Sequence, residues 1–353
     1  MKYYLSLLTM LHNDADYLKE FLEYYLLVGV EHFYLYDHGS GDNTYEVLHP
    51  YILKGLVTYT FVTDEIAPTA IDTLLCRTYT KGVDQARGES RWLAIMDSDE
   101  FIVPKRHTSL ALALKPYEEY GGLAVNWQMF GTSGVESVPV HGSMLQLLNR
   151  KALPSYKMNE HVKVIVQPLR VKSIEAPHQA VYEEGWYTVD TNTQRITGPF
   201  NPTIPIDVLQ INHYFCRDGR YFRQVKLPRR QGYGTDPEIV KQWEKEMNTV
   251  YDNSIQRFLP RLRQRLEHHR FPTYYSWRFY IASYPDLTRG GVTTEQKAAD
   301  HWLQYGQKEG RQSIFDWRRY LRLNSDIMRS GINNEELAIK HWLSRGRSER
   351  RPR

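Results

Sequence analysis

The chain opens on apolar runs that alternate with amphipathic stretches. Tyr3 to Met10 is a continuous apolar run of strand length. Asn13 or Asp14 then stands where a helix is capped. Leu18, Phe21, Leu22, Tyr25 and Leu26 recur at helical spacing until Gly29 ends the pattern. His32-Phe33-Tyr34-Leu35-Tyr36 predicts a second strand, which stops at the turn-forming run Asp37-His38-Gly39-Ser40-Gly41-Asp42-Asn43. Thr44 to Tyr51 reads as a short helix and Val57 to Val62 as a third strand. Asp72 to Arg87 reads as a helix and Arg91 to Met96 as a fourth strand. This order predicts an α/β fold with a mostly parallel sheet, flanked by helices and carrying its ligand crevice at the carboxyl ends of the strands.

The fourth strand delivers Asp97-Ser98-Asp99 to that crevice. Strand side chains alternate between faces, so Asp97 and Asp99 are expected to point the same way and Ser98 away. Adjacent carboxylates repel unless a cation, a proton or a basic side chain lies between them. A D-x-D elsewhere is ordinarily a pair of solvated loop acids. At a parallel strand end it suits a divalent metal holding a diphosphate.

Beyond Leu110 the pattern is mixed. Leu123 to Trp127 and Val162 to Val166 predict strands joined by loops rich in Gly and Pro, an arrangement suited to an acceptor-side region. Pro237 to His269 is charged and helical in character. The remainder repeats: Trp277, Tyr280, Asp286, Gly291, Ala298, His301-Trp302, Gly306 and Arg311 recur 40 residues later at Trp317, Tyr320, Asp326, Gly331, Ala338, His341-Trp342, Gly346 and Arg351. Two such units predict a small all-α appendage whose repeats pack on each other, with the His-Trp pairs as packing residues.

Composition narrows the functional classes. With 353 residues, 41% hydrophobic and 13% aromatic, the chain is of globular type. A net charge of +4 suits anionic small ligands and does not indicate a nucleic-acid partner. Two cysteines, Cys76 and Cys216, make neither a disulfide framework nor a structural zinc site. The N-terminal apolar run is too short for a signal peptide or anchor, and no span of membrane length follows. A soluble, cytoplasmic protein is expected.

Six segments in order carry a resemblance. They are Met10 to Tyr24, Gly29 to Asp42, Trp92 to Ile102 with its Asp97-Ser98-Asp99-Glu100, Trp127 to Gly134, Lys163 to Pro168, and Ile211-Asn212-His213-Tyr214-Phe215-Cys216-Arg217 with Tyr221-Phe222 and Lys226. Together they resemble family 2-type glycosyltransferases of the family 92-like branch, over residues 1 to about 235. The chain departs from that pattern at Asp14, where Glu is frequent, and at Arg217-Asp218, where Lys-Ser is common. The resemblance implies a GT-A fold, a nucleotide-sugar donor, with UDP-sugars favoured and galactose the family's leaning, a glycan acceptor, Mn²⁺ or Mg²⁺, and inversion at the anomeric carbon. The expected organisation is a catalytic domain over 1–235, a helical linker over 236–271 and the two repeats over 272–353. The repeats resemble those appended to other sugar-modifying enzymes.

The chemistry distributes roles among these residues. A metal bridging the phosphates neutralises the leaving group's developing charge. Asp99 is expected to ligate it, and Asp97 to share it or to bind the ribose and donor sugar. His213 is the third ligand implied by the resemblance, because Mn²⁺ accepts imidazole; His178 competes for that place. Thr9, Asn13 and Asp37 are expected against the nucleoside, with Asp42 capping the following helix. Arg77 and Arg87 are expected mainly on a solvated helix face. Lys163, Arg217 and Lys226 could counter the diphosphate. An inverting reaction needs a general base, for which Glu136 and Asp218 are candidates, and Trp127 and Phe130 could wall the acceptor. A sugar-nucleotide nucleotidyltransferase shares the sheet and the paired acids. It normally needs a Gly-rich basic loop after the first strand, and here that loop is the acidic His12-Asn13-Asp14-Ala15-Asp16. A non-catalytic glycan-binding protein working through its repeats is the other alternative.

Overall fold

The first apolar run lies inside the sheet, in a computed structural model that describes residues 1–62, 71–139, 142–268, 275–306 and 309–352. The principal strands are β1 (Tyr3–Leu11), β2 (His32–Asp37), β3 (Val57–Phe61), β4 (Ser90–Ile95), β5 (Glu100–Pro104), β6 (Gly122–Met129), β7 (Val162–Val166) and β8 (Leu209–His213). Strands β3, β2, β1 and β4 are parallel neighbours in that order. Strand β7 enters antiparallel between β4 and β6, and β8 runs parallel to β6 and antiparallel to β5. The sheet is thus mixed, with its parallel half where strand and helix alternate in the sequence. This is the α/β architecture the sequence predicts.

Register decides what meets at the crevice. Leu11 lies opposite Asp37, so the loops after β1 and β2 emerge side by side. Leu8 lies opposite Ile95, so the Asp97 turn leaves the sheet beside them. The two faces follow strand alternation. Leu5, Leu7, Phe33, Leu35, Trp92 and Ala94 join one core with helix α1 (Ala15–Leu27). Leu8, Tyr34, Tyr36, Leu93 and Ile95 join the core on the opposite face. Helix α2 (Thr44–Leu53) links β2 to β3, and helix α3 (Ile71–Ala86) lies on that opposite face through Tyr79, Val83 and Ala86. Gly82 lets α3 settle directly on β1: a Cβ there would stand 2.5 Å from a Leu8 methyl.

Two compact units divide the chain, Met1–Leu266 and Glu267–Arg353. The first takes in most of the segment read as a linker, because Val240, Met247, Phe258 and Leu262 join the α1-side core. In the second, the sequence repeat recurs in contacts. Tyr280 Oη meets His301 Nδ1 at 2.9 Å and Tyr320 Oη meets His341 Nδ1 at 2.8 Å. Arg311 pairs with Asp286 at 2.7 Å and Arg351 with Asp326 at 2.8 Å. No helix among the described residues is long and apolar enough to cross a membrane.

The contact at Gly82 gives a stability test. Ala in mid-helix gains about 1 kcal/mol over Gly, whereas overpacking a filled core costs roughly 1–3 kcal/mol. Gly82→Ala is expected to lower the urea midpoint of the full chain. A midpoint equal to or above that of the unsubstituted chain would show that Leu8 gives way freely.

Candidate active site

The two aspartates do not sit on a strand. Strand β4 ends at Ile95, and Asp97 to Glu100 form a tight turn closed by Glu100 N donating to Asp97 O at 3.0 Å. Strand alternation therefore does not set their directions, and each acid meets its own partners. Asp97 Oδ2 pairs with Lys163 Nζ at 3.0 Å, and its Oδ1 accepts from Tyr79 Oη at 3.1 Å. Asp99 Oδ1 lies 3.5 Å from His213 Nε2, and its Oδ2 lies 3.4 Å from Lys226 Nζ. Asp97's side chain is 42% exposed and Asp99's 11%, so Asp97 is the carboxylate that solvent reaches.

The surrounding charges set the ionisation. Burial would raise the Asp97 carboxyl, but the Lys163 ammonium outweighs it and holds the group below its ordinary value. Burial would also raise Asp99, and Lys226 followed by His213 holds it well below the carboxylate range. Glu100 lies beneath them, fully buried, with Lys163 Nζ 3.6 Å away. Burial prevails there over the Lys163 charge and pushes Glu100 well above the carboxylate range, toward its neutral form. Burial likewise lowers His213, in spite of Asp99, and leaves a neutral imidazole.

Arg217 closes the cluster from another side. It is 1% exposed and holds φ +48°, in the left-handed region that bulky side chains avoid. Its Nη2 donates to Asp14 Oδ1 at 2.7 Å and Ser98 Oγ at 2.9 Å. The guanidinium stacks on Tyr17 and Tyr221, at 4.4 and 4.5 Å from the ring centroids. Its Nε and Nη1 are buried without a hydrogen-bond partner. Asp14 occupies the cap position of α1, yet its side chain makes no cap bond. The signal read as a helix start serves the site instead.

The donor chemistry suits a hard divalent cation that tolerates imidazole. Two ionised carboxylates and a neutral His213 stand together, with His213 Nδ1 buried and unpartnered. Among the described residues no group of three or more His, Cys, Asp or Glu is gathered as a metal centre, and Lys163 and Lys226 stand on the carboxylates. Asp99 Oδ1 and His213 Nε2 face each other at 3.5 Å, and Asp97 is the more exposed of the two acids.

A sequence model of glycosyltransferase family 92 matches residues 3–198, more than half of the chain. The chain belongs to glycosyltransferase family 92. A family 92 protein of Ricinus communis is 26% identical over 246 residues, covering 68% of this chain and 39% of that protein. One from Oryza sativa subsp. japonica is 24% identical over 278 residues, covering 72% and 44%. The chain spans less than half the length of these curated relatives. Among solved structures, S. aureus TarS 1-349 in complex with UDP-GlcNAc shares 13% identity over 89% of this chain and 94% of that one, with TM-score 0.33. Glucosyl-3-phosphoglycerate synthase from Mycobacterium tuberculosis with Mn²⁺, UDP and glucosyl-3-phosphoglycerate shares 14% identity over 47% and 57%, with TM-score 0.26.

Within this family 92 chain the other predicted residues divide. Trp127 joins the cluster: its ring stacks on His161 at 4.8 Å and meets His213 at 4.4 Å and His178 at 5.1 Å edgewise. Phe130 is 1% exposed against Tyr214 and presents no wall to a ligand. Thr9 is wholly buried. Asn13, at φ +56°, accepts from Gly41 N at 2.8 Å, and Asp37 accepts from Ser40 N and Tyr59 Oη, so both brace the adjoining loops. Asp42 accepts from Thr44 N and from Ala15 N, both at 3.0 Å, and so ties α2 to α1. Arg87 holds Asp84 and the Val171 carbonyl, both at 2.9 Å. Asp218 spends its oxygens on Tyr221 N and Val138 N, both at 2.8 Å, and Glu136 is exposed and paired with Arg223. Neither makes a bond to the Asp97–Asp99 turn. Asp14, Glu100 and Tyr79 were not singled out as site residues. Glu100 directly follows Asp99 in the motif, and Tyr79 carries no local signal.

The Asp14–Arg217 pair is open to a double-mutant cycle. Arg217→Met leaves Asp14 buried and uncompensated, at a cost of about 3–5 kcal/mol. Asp14→Asn added to it is expected to restore part of that loss, read as a rise in the urea midpoint. Purely additive losses would show that the pair is not coupled.

Proposed function

We propose that this chain is a metal-dependent inverting glycosyltransferase that uses a nucleoside-diphosphate sugar, with UDP-sugars favoured, and a glycan acceptor. Family membership supports the reaction class. The observation that carries the reading is the gathering of Asp97, Asp99, Lys163, His213, Arg217 and Lys226 at the carboxyl end of the sheet. A diphosphate needs cationic hydrogen-bond donors held in place before it arrives, and buried lysines and arginine supply them. Asp97, the accessible acid, is placed to meet the donor's ribose or sugar. Asp99 and His213 would hold Mn²⁺ or Mg²⁺, which when bound neutralises the phosphates. The unpartnered Nε and Nη1 of Arg217 are donors free for an anion. Lys163 and Lys226 fix the carboxylates and then face the charge that grows on the leaving diphosphate. Donor contacts by Thr9, Asn13 and Asp37 would be limited to atoms not already used in loop bracing.

Release of nucleoside diphosphate from a panel of nucleotide sugars, with Mn²⁺ and without it, tests the reading. The chain is expected to turn over at least one UDP-sugar and to lose that activity with chelator. Asp99→Asn should reduce the rate by about a hundredfold or more, the scale of a lost transition-state contact. Full activity of Asp99→Asn would remove the acid from the mechanism. His213→Ala should raise the Mn²⁺ concentration needed for half-maximal rate; if His178→Ala does so instead, the imidazole ligand is His178.

A further inference from the structure

One cavity in the first unit touches the donor site only through His178. The hairpin of Val171–Ala176 and Gln179–Tyr182 folds over the β6–β7 part of the sheet and encloses about 180 Å³, a space on the scale of one sugar ring. Ala124, Val162 and Val164 give it an apolar floor. Tyr182, Trp186 and Tyr187 bring three aromatic rings to its walls.

The walls are fixed before any ligand arrives. Tyr182 lies against Gly121 and Gly122, where a Cβ on Gly122 would stand 2.1 Å from its hydroxyl. That hydroxyl accepts from Thr188 Oγ1 at 2.8 Å. Arg170 stacks on Trp186 at 3.9 Å, and Arg195 on Tyr187 at 4.9 Å. The polar groups on the lining have capacity to spare. The Gln179 amide makes no side-chain hydrogen bond among the described residues, and Arg195 has no acid partner there. His178 Nδ1 faces the Val162 carbonyl at 2.9 Å, which assigns the proton to Nδ1 and leaves Nε2 as an acceptor. Rigid aromatic surface beside uncommitted amide, guanidinium and imidazole groups suits a polyhydroxylated ring better than an apolar ligand.

His178 joins the lining of the cavity to the residues of the donor site. His178 meets Trp127 edgewise at 5.1 Å; Trp127 meets His213 at 4.4 Å; and His213 faces Asp99 at 3.5 Å. We infer that this cavity is an acceptor subsite for one neutral pyranose ring. Gln179 and Arg195 bind its hydroxyls, and His178 Nε2 accepts from the hydroxyl nearest the acids. The inference rests on the glycosyltransferase reading for the word acceptor, and on the cavity alone for sugar binding. His178 is a positioning residue in this account.

Saturation-transfer NMR on the full chain tests it, with methyl β-galactopyranoside, methyl β-glucopyranoside, methyl α-mannopyranoside and methyl β-xylopyranoside as probes at millimolar concentration. At least one is expected to receive saturation. Arg195→Ala and Thr197→Trp, both at exposed positions on the rim, should each cut that signal about fivefold or more, the scale of one lost hydrogen bond. The thermal shift given by UDP with Mn²⁺ should be unchanged in both variants. No saturation on any of the four glycosides, or a signal that survives both substitutions, overturns the subsite. A missing UDP shift in the unsubstituted chain defeats the donor reading instead, and leaves the glycoside result to stand or fall separately.

Discussion

The buried lysines that face the Asp97 turn are the constraint on which the first unit depends. Lys163 is 1% exposed and Lys226 6%. An ammonium taken out of water costs several kcal/mol unless an anion compensates it closely. Two adjacent carboxylates without cations would repel each other. Neither set is tolerable alone, so the fold has to deliver both to one place. The antiparallel strand does this. Leu93 lies opposite Val166 and Ala94 opposite Ile165, and that register continued sets Lys163 level with Met96, one residue before the first acid. A parallel strand in that position would have carried its first residues to the far end of the sheet.

Arg217 applies the same logic across a longer stretch of chain. It joins the loop after β1, through Asp14, to the middle of the acidic turn, through Ser98. Its left-handed backbone costs roughly 1–3 kcal/mol and persists only where the surroundings over-determine it. Two tyrosine faces, one carboxylate and one hydroxyl do so here. The residue is strained, buried and only partly satisfied, a combination that a purely structural arginine seldom shows.

Much of this was legible in the sequence, and the exceptions have physical reasons. The strand–helix order, the placing of the acids at the carboxyl end of the sheet and the forty-residue repeat all rest on periodicity, which is local. The antiparallel entry of β7 is not local, because the pattern of a five-residue strand carries no direction. The shared orientation of Asp97 and Asp99 was inferred from a strand that in fact ends at Ile95, since a tight turn and a strand end look alike in an apolar run followed by acids. Asp14 is a good helix cap by composition, but a buried guanidinium competes for the same carboxylate and prevails. Asp218 stood in a motif loop and is consumed by backbone N–H groups, a use that composition does not distinguish from catalysis. Phe130 was read beside Trp127 as an acceptor wall. Both join the α1-side core, but Phe130 lies past the end of β6 and packs on Tyr214, whereas Trp127 meets the histidines.

The charge balance of the cluster bears on what can enter it. Beside Glu100, which burial pushes toward its neutral form, Asp14, Asp97 and Asp99 face Lys163, Arg217 and Lys226, three carboxylates against three cations. A nucleoside diphosphate brings two or more further negative charges into a region already neutral and mostly withdrawn from water. The cations there are engaged with the aspartates, so the positive charge they offer the phosphates is shared with those carboxylates. The Nε and Nη1 of Arg217 are uncommitted donors, and they belong to a charge already counted. A divalent cation entering with the donor restores the balance without displacing either lysine. Under the proposed function, the lysines beside the acids therefore favour a metal-accompanied donor, with the ion on Asp99 and His213 and Asp97 left open to the donor on its solvent side.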